Sequence, residues 1–187
     1  MGRQGARPDA PALLAGARLL AGLFLVVALT SRQASSLAAA LFVMAALEGL
    51  TLLHWSLARQ GPPGNDGLAE PLSGSIYRLT VSAAFLANGW LPAWMLIVIF
   101  ARDLVVPYLR AAVRQRSQDL TAGLGDRLAA VAHAVAQLGV VAMAFEDWGP
   151  GLGPQGPLAF TLLVVAVAFS AWSLVEHFAR SAQMLKS

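Results

Sequence analysis

Cysteine is absent from the 187 residues, which excludes disulfides, thiolate zinc sites and cysteine nucleophiles. Charge is scarce: Asp, Glu, Lys and Arg make up 12% of the chain, where a soluble domain carries about a quarter. No Gly-rich phosphate loop of the P-loop or Rossmann type precedes a helical run, and no G-x-S-x-G elbow or Ser/His/Asp set is visible. The three histidines, His54, His133 and His177, fall in three separate apolar runs without metal-ligand spacing. No internal repeat or inverted half supports a transporter.

What the chain has instead is apolarity. It is 57% hydrophobic with a mean hydropathy of +0.63, carried mainly by Ala and Leu as suits helices facing lipid. The composition is that of an integral membrane protein. The net charge of +3 is then read as positive-inside topology and contact with anionic lipid, not as a nucleic-acid surface.

Six apolar runs are visible: Ala12–Leu29, Leu37–Leu57, Ser75–Ala87, Leu91–Leu109, Arg127–Phe145 and Leu158–Phe178. A membrane-crossing helix needs about 20 residues. The third run reaches that length by beginning near Glu70, before a turn at Asn88-Gly89-Trp90-Leu91-Pro92. The first run follows arginines as a signal peptide does, but Arg18 interrupts it and no small-residue cleavage site follows, so it is kept as a helix. The expected fold is all-α: a six-transmembrane-helix bundle in one domain, residues 1–187, with a cytoplasmic lead at 1–11 and a cytoplasmic loop at 60–74.

Orientation follows from the basic residues. With both termini cytoplasmic, Arg3, Arg7, Arg59, Arg78, Arg110, Arg114, Arg116, Arg127, Arg180 and Lys186 lie inside, and only Arg32 lies in an outside turn, beside Glu146 and Asp147 at the other. Trp90, Trp94 and Trp148 then fall near the outer interface and Trp55 near the inner one.

Polar residues within the runs are costly in lipid and should face the bundle interior. Glu48 lies about 16 Å and His54 about 7 Å in from Arg59, and Arg102-Asp103 roughly 12 Å in from Arg110. His133 and Gln137 share one helix face and read as hydrogen-bonding glue between helices. Arg102 is a candidate site residue, because a buried guanidinium needs an anion to meet.

Several stretches together resemble the CDP-alcohol phosphatidyltransferase family, and within it phosphatidylglycerophosphate synthases. Asp9–Arg18 (DAPALLAGAR) resembles the family's N-I-P-T-L-L-T-x-x-R opening. Leu57-Ala58-Arg59 matches the end of D-x-x-D-G-x-x-A-R, and Glu70-Pro71-Leu72 resembles the D-P-x of the second motif half, G-x-x-x-D-x-x-x-D. Phe100-Ala101-Arg102-Asp103 resembles an A-R-E on the fourth helix. Gly125-Asp126-Arg127 stands where a G-K-x-K-T turn would, without its lysines. The resemblance implies a six-helix membrane protein with a cytoplasmic-side site. There, four aspartates hold divalent metal while a phosphatidyl group passes from CDP-diacylglycerol to an alcohol.

The departures fall on that chemistry. Thr51, His54, Glu70 and Gly74 stand at the four aspartate positions, Trp55 at the motif glycine and Asp66 at the glycine of the second half. One carboxylate of four survives, Glu70, as the candidate metal ligand. Asp66 and Glu48 lie off the family spacing. No complete catalytic set remains, so the expectation is a paralogue that keeps the fold and has shed the reaction. It would act as an interaction subunit, in a homo- or heterodimer, or as a binder of anionic phospholipid or CDP-diacylglycerol through Arg59, Arg102 and Arg127. The alternative is an active phosphatidyltransferase with altered use of Mg²⁺ or Mn²⁺, acting on glycerol 3-phosphate or another alcohol, or His54 working as a base without metal. The resemblance also implies a bacterial inner membrane and a role in phospholipid synthesis.

Overall fold

The computed structural model describes residues 10–58, 69–114, 123–145 and 152–184, without the side chains of 10–12, 14, 52–58, 69–72 and 114. Six helices account for these residues: α1 (Ala10–Ser31), α2 (Ala34–Ala58), α3 (Ala69–Ala87), α4 (Ala93–Arg114), α5 (Leu124–Phe145) and α6 (Pro157–Met184). Each expected run lies inside or almost inside one of them. The third begins at Ala69, as the short apolar run requires if it is to gain length.

Within three of these helices lie stretches apolar and long enough to cross a membrane: Ala34–Thr51 in α2, and all of α5 and α6. In α4 the residues Arg102, Asp103 and Arg110 interrupt the apolar run, and in α3 Glu70 and Arg78 do the same. The molecular exterior is unusually greasy. Leu20, Phe42, Ile97 and Val175 are each about two-thirds or more exposed, while Arg18, Arg102, Asp103, Asp126, His133 and His177 are buried. That distribution suits lipid outside and polar groups satisfied inside.

The helices close into a ring. α1 packs on α2 and α3, α3 on α4, α4 on α6, α6 on α5, and α5 back on α2, with α3 and α5 touching across the middle. Because successive helices run in opposite directions, one end of the ring gathers the starts of α1, α3 and α5 and the ends of α2, α4 and α6.

The opposite end is apolar and tightly turned. Leu25, Leu29, Phe85, Met95, Val140 and Val141 pack there almost without exposure, and Phe85 meets Trp90 with ring centroids 5.6 Å apart. α1 passes into α2 through Arg32, whose φ of 53° is left-handed, a conformation an L-residue holds only when its surroundings fix it. Asn88 supplies the fixing. Its side-chain oxygen and its carbonyl accept Arg32 Nε and Nη2, both at 2.9 Å, and its amide nitrogen donates to the Leu29 carbonyl at 3.0 Å. Gly89 follows with φ 73°, where a side chain would be strained. Trp90 is buried in this cap and Trp94 is half-exposed; Glu146, Asp147 and Trp148 lie outside the described residues.

Candidate functional site

The polar end of the ring holds two connected groups of side chains. The larger is centred on Asp126, in the first turn of α5. Its Oδ1 accepts Arg102 Nη2 at 3.0 Å and the Ser173 hydroxyl at 2.6 Å, and its Oδ2 accepts Arg110 Nη2 at 2.7 Å. His177 Nε2 lies 3.2 Å from the same Oδ2. His177 Nδ1 sits 2.9 Å from the Ser173 carbonyl, which can only accept, so Nδ1 carries a proton. Nε2 then accepts from Arg110, 3.4 Å away, when the ring is neutral, and donates to Asp126 when it is charged.

Arg102 carries the network onward. Its Nη1 donates to Asp103 Oδ1 at 2.6 Å, and Arg78 grips both oxygens of Asp103, through Nε and Nη2 at 3.1 Å each. A two-pronged guanidinium–carboxylate pair is the strong form of this contact. α3, α4 and α5 are therefore tied together by one chain of ion pairs, which the Ser173 hydroxyl and the His177 ring extend to α6. Glu176 adds a cap: it accepts the Gly125 backbone N–H at 3.0 Å at the start of α5, where a helix leaves its amides unpaired. His133 meets the Ser170 hydroxyl at 2.6 Å and Gln137 donates to the Arg78 carbonyl at 3.4 Å. Both thus act as the interhelical glue expected of them.

The smaller group lies along α1, which is flanked by α2 and α3, and takes in Thr51 and Gly74, two of the expected motif positions. Thr51 accepts Arg18 Nη2 at 2.7 Å and donates its own proton to the Leu47 carbonyl at 2.7 Å. Gly74 sits between two guanidiniums: a Cβ placed on it would lie 3.6 Å from Arg78 Nη1 and 3.7 Å from Arg18 Nη1. Glu48 is within electrostatic reach of both arginines. So is Tyr77, which also feels Glu48; its hydroxyl is buried and has no hydrogen-bond partner among the described residues.

The remaining sequence candidates divide three ways. His54, Trp55 and Glu70 are on described helix backbone, but their side chains lie outside the described residues, as do Arg59 and Asp66 altogether. Arg127 is exposed, one residue from the buried Asp126. Arg102 is buried with both terminal nitrogens engaged by aspartates, and its Nε is without a partner among the described residues. Its anions are the protein's own.

Sequence reasoning undervalued two arginines and one helix. Arg78 enters the sequence reading only through membrane orientation, and Arg18 only as the break in a signal-peptide pattern and as part of an opening motif. On α6, Ser170, Ser173, His177 and Ser181 recur at three- and four-residue intervals and are all buried. That polar stripe on an otherwise apolar helix is the signal that would have found the Asp126 network.

A model of CDP-alcohol phosphatidyltransferases matches residues 67–172, more than half of the chain and the segment that contains Gly74, Arg78, Arg102 and Asp126. The chain belongs to the CDP-alcohol phosphatidyltransferase family. It is thereby an integral membrane protein related to phospholipid synthesis. No curated protein and no solved structure matches it.

Membership raises the question of metal. The family's resemblance implies carboxylates around divalent cations, which bind hard oxygen ligands. Of the four positions, the two whose side chains are described supply a hydroxyl already used as both donor and acceptor, and no side chain at all. A dication about 4 Å from one guanidinium is opposed by roughly 8 kcal/mol at an effective dielectric of about 20, lessened where Asp103 shares the charge of Arg78. No three His, Asp or Glu side chains converge on a common point among the described residues. The described residues do not fit a divalent cation.

Proposed function

We propose that this chain is a catalytically silent member of the CDP-alcohol phosphatidyltransferase family. In this reading it keeps the membrane fold of a phosphatidylglycerophosphate-synthase-like protein and serves phospholipid synthesis by holding an anionic lipid or a partner subunit. The observation that carries it is the pair Thr51 and Gly74: where two metal carboxylates would stand, one position is a committed hydroxyl and the other faces Arg18 and Arg78. Phosphoryl chemistry of this kind depends on cations that neutralise developing charge and activate the attacking hydroxyl. Fixed guanidiniums supply charge but do not generate a nucleophile.

The frame around that site is six membrane-crossing helices with both termini cytoplasmic, in a bacterial inner membrane. What supports it is the basic content of the polar end, which carries Arg18, Arg78, Arg102, Arg110 and Arg180 while the apolar end carries Arg32. Homo- or heterodimer formation follows the family pattern.

The decisive measurement is release of cytidine monophosphate from CDP-diacylglycerol with glycerol 3-phosphate, in Mg²⁺ or Mn²⁺. The expected result is no turnover above the no-enzyme rate. Turnover that disappears in Glu70→Ala would establish the active alternative with altered metal use.

A further inference from the structure

Asp126 receives more hydrogen bonds than its two oxygens need. Arg102, Arg110 and Ser173 donate to it at 3.0, 2.7 and 2.6 Å, and the Gly123 backbone N–H reaches Oδ2 at 3.4 Å. His177 Nε2, 3.2 Å from that oxygen, adds another donor when its ring is charged. A carboxylate offers about four lone-pair sites, so donors from α4, α6 and the start of α5 fill or exceed them. More donors stand behind these: Arg102 Nε and Arg110 Nε are buried without a partner among the described residues, and Arg102 as a whole is 7% exposed. The charges lean the same way. Arg78, Arg102 and Arg110 share two carboxylates, Asp103 and Asp126, so this linked set carries one guanidinium in excess. Glu176 and Arg180 pair with each other beside it. The backbone suits an anion as well. Asp126 lies in the first turn of α5, where unpaired N–H groups and the helix dipole favour negative charge. Gly125 lets α5 approach α6 closely there, since a Cβ on it would come 3.1 Å from the Ser173 Cα. The rim is open at Arg110, whose side chain is 28% exposed.

We propose that the junction of α4, α5 and α6 is an oxyanion pocket that the chain keeps closed with its own Asp126 carboxylate. The donor set suits a phosphate monoester better than it suits a carboxylate. Three terminal oxygens accept more hydrogen bonds than two, and the second negative charge balances the third guanidinium. Asp126 is then a plug, an intramolecular anion that satisfies the arginines and shuts phosphate out. This closure is separate from the loss of metal carboxylates, which concerns Thr51 and Gly74.

The test follows thermal unfolding of the full-length protein in detergent and EDTA while inorganic phosphate is titrated at constant ionic strength. Asp126→Ala vacates the pocket, and its unfolding temperature should rise saturably with phosphate, by about 5–10 °C at roughly a hundredfold excess over Kd. The parent protein and Asp126→Asn, in which the pocket stays filled, should show little or none of that rise. Phe85→Ala, destabilised away from the pocket, controls for the general effect of phosphate on folding. Adding Arg110→Met to Asp126→Ala should weaken phosphate binding about tenfold. If Asp126→Ala does not survive purification alone, the readout is its recovery as a monodisperse protein with and without phosphate during extraction. Phosphatidic acid in the micelles separates the two sources of a monoester. An effect of inorganic phosphate assigns the pocket to free phosphate species, and an effect of phosphatidic acid alone assigns it to a lipid headgroup. An Asp126→Ala protein that neither compound stabilises or recovers overturns the proposal. So does an equal phosphate effect in the parent, in Asp126→Asn or in Phe85→Ala, or one that Arg110→Met leaves unchanged. Metal-dependent release of cytidine monophosphate would overturn the silent reading and leave this result standing.

Discussion

The two ends of the ring solve the same problem, holding six largely apolar helices together, by different physics. At the apolar end, Leu25, Leu29, Phe85, Met95 and Val140 fill space, and among the described residues the Arg32–Asn88 clamp adds hydrogen bonds between the helix ends. At the polar end, space is filled by charges that satisfy one another around Asp126 and Asp103. Packing of the first kind is tolerant, because losing one side chain leaves a cavity and nothing worse. A charge network is not tolerant, because removing one member strands the others in a poor dielectric. The polar end is also where Thr51 and Gly74 lie, so the stretches that resemble the family's motif and this chain's most interdependent contacts share one end.

The sharpest way to break that contrast is at Asp126. Asp126→Ala leaves Arg102 and Arg110 without their shared carboxylate and should cost about 3–5 kcal/mol. Phe85→Ala at the other end should cost a similar amount, about 3–5 kcal/mol. The two differ in what rescues them. Arg102 then keeps Asp103 but loses the partner of its Nη2; replacing it by Met in the Asp126→Ala background should recover part of the loss, since it removes the buried group left half-paired. Phe85→Ala should be recovered only by refilling the volume. Thermal unfolding in detergent reads both, and full additivity of Asp126→Ala with Arg102→Met would remove the claim that the network acts as a unit.

How much of this was legible beforehand follows from what a linear pattern records. Apolar runs mark helices directly, so the six segments were visible, and even the start of α3 at Ala69 could be inferred from the length a spanning helix needs. Motif spacing singles out Thr51 and Gly74, and Arg18 lies against both of them. Ring order was hidden, because α3 neighbours α1 and α4 neighbours α6, and nothing in the chain encodes which lipid-type face meets which. Asp126 looked like a turn residue replacing a lysine, since its donors, Arg102, Arg110, Ser173 and His177, come from helices far away in sequence. Arg78 was misjudged for the same reason: a basic residue near an inner boundary looks like a topology signal until Asp103 is seen across from it.

Glycines sharpen the comparison at smaller amplitude. Gly125 lies at the α5–α6 crossing, where an added Cβ would come 2.6 Å from Glu176 Oε2 and 3.1 Å from the Ser173 backbone Cα. The carboxylate can swing, but only by giving up the Gly125 N–H it accepts, and the backbone cannot move without disturbing Ser173 and Asp126. Gly125→Ala should therefore destabilise by about 1–3 kcal/mol. Adding Glu176→Ala should recover only part of this, because the contact with Ser173 remains.

Gly22, at the α1–α3 contact, is the control. It too is buried, yet a Cβ there would meet Thr80 Cγ2 at 3.6 Å, an ordinary packing distance, with no backbone atom among its nearest contacts. Gly22→Ala adds a methyl to an existing interface and removes a helix-interior glycine, which disfavours a helix by about 0.8–1 kcal/mol relative to alanine. The expected result is a small gain in thermal stability, of the order of 0.5–1 kcal/mol, opposite in sign to Gly125→Ala. A loss at Gly22 as large as that at Gly125 would mean that α1 and α3 are as rigidly fixed as α5 and α6. In that case the tightness of the polar end would come from close helix packing in general and not from the charges that converge on Asp126.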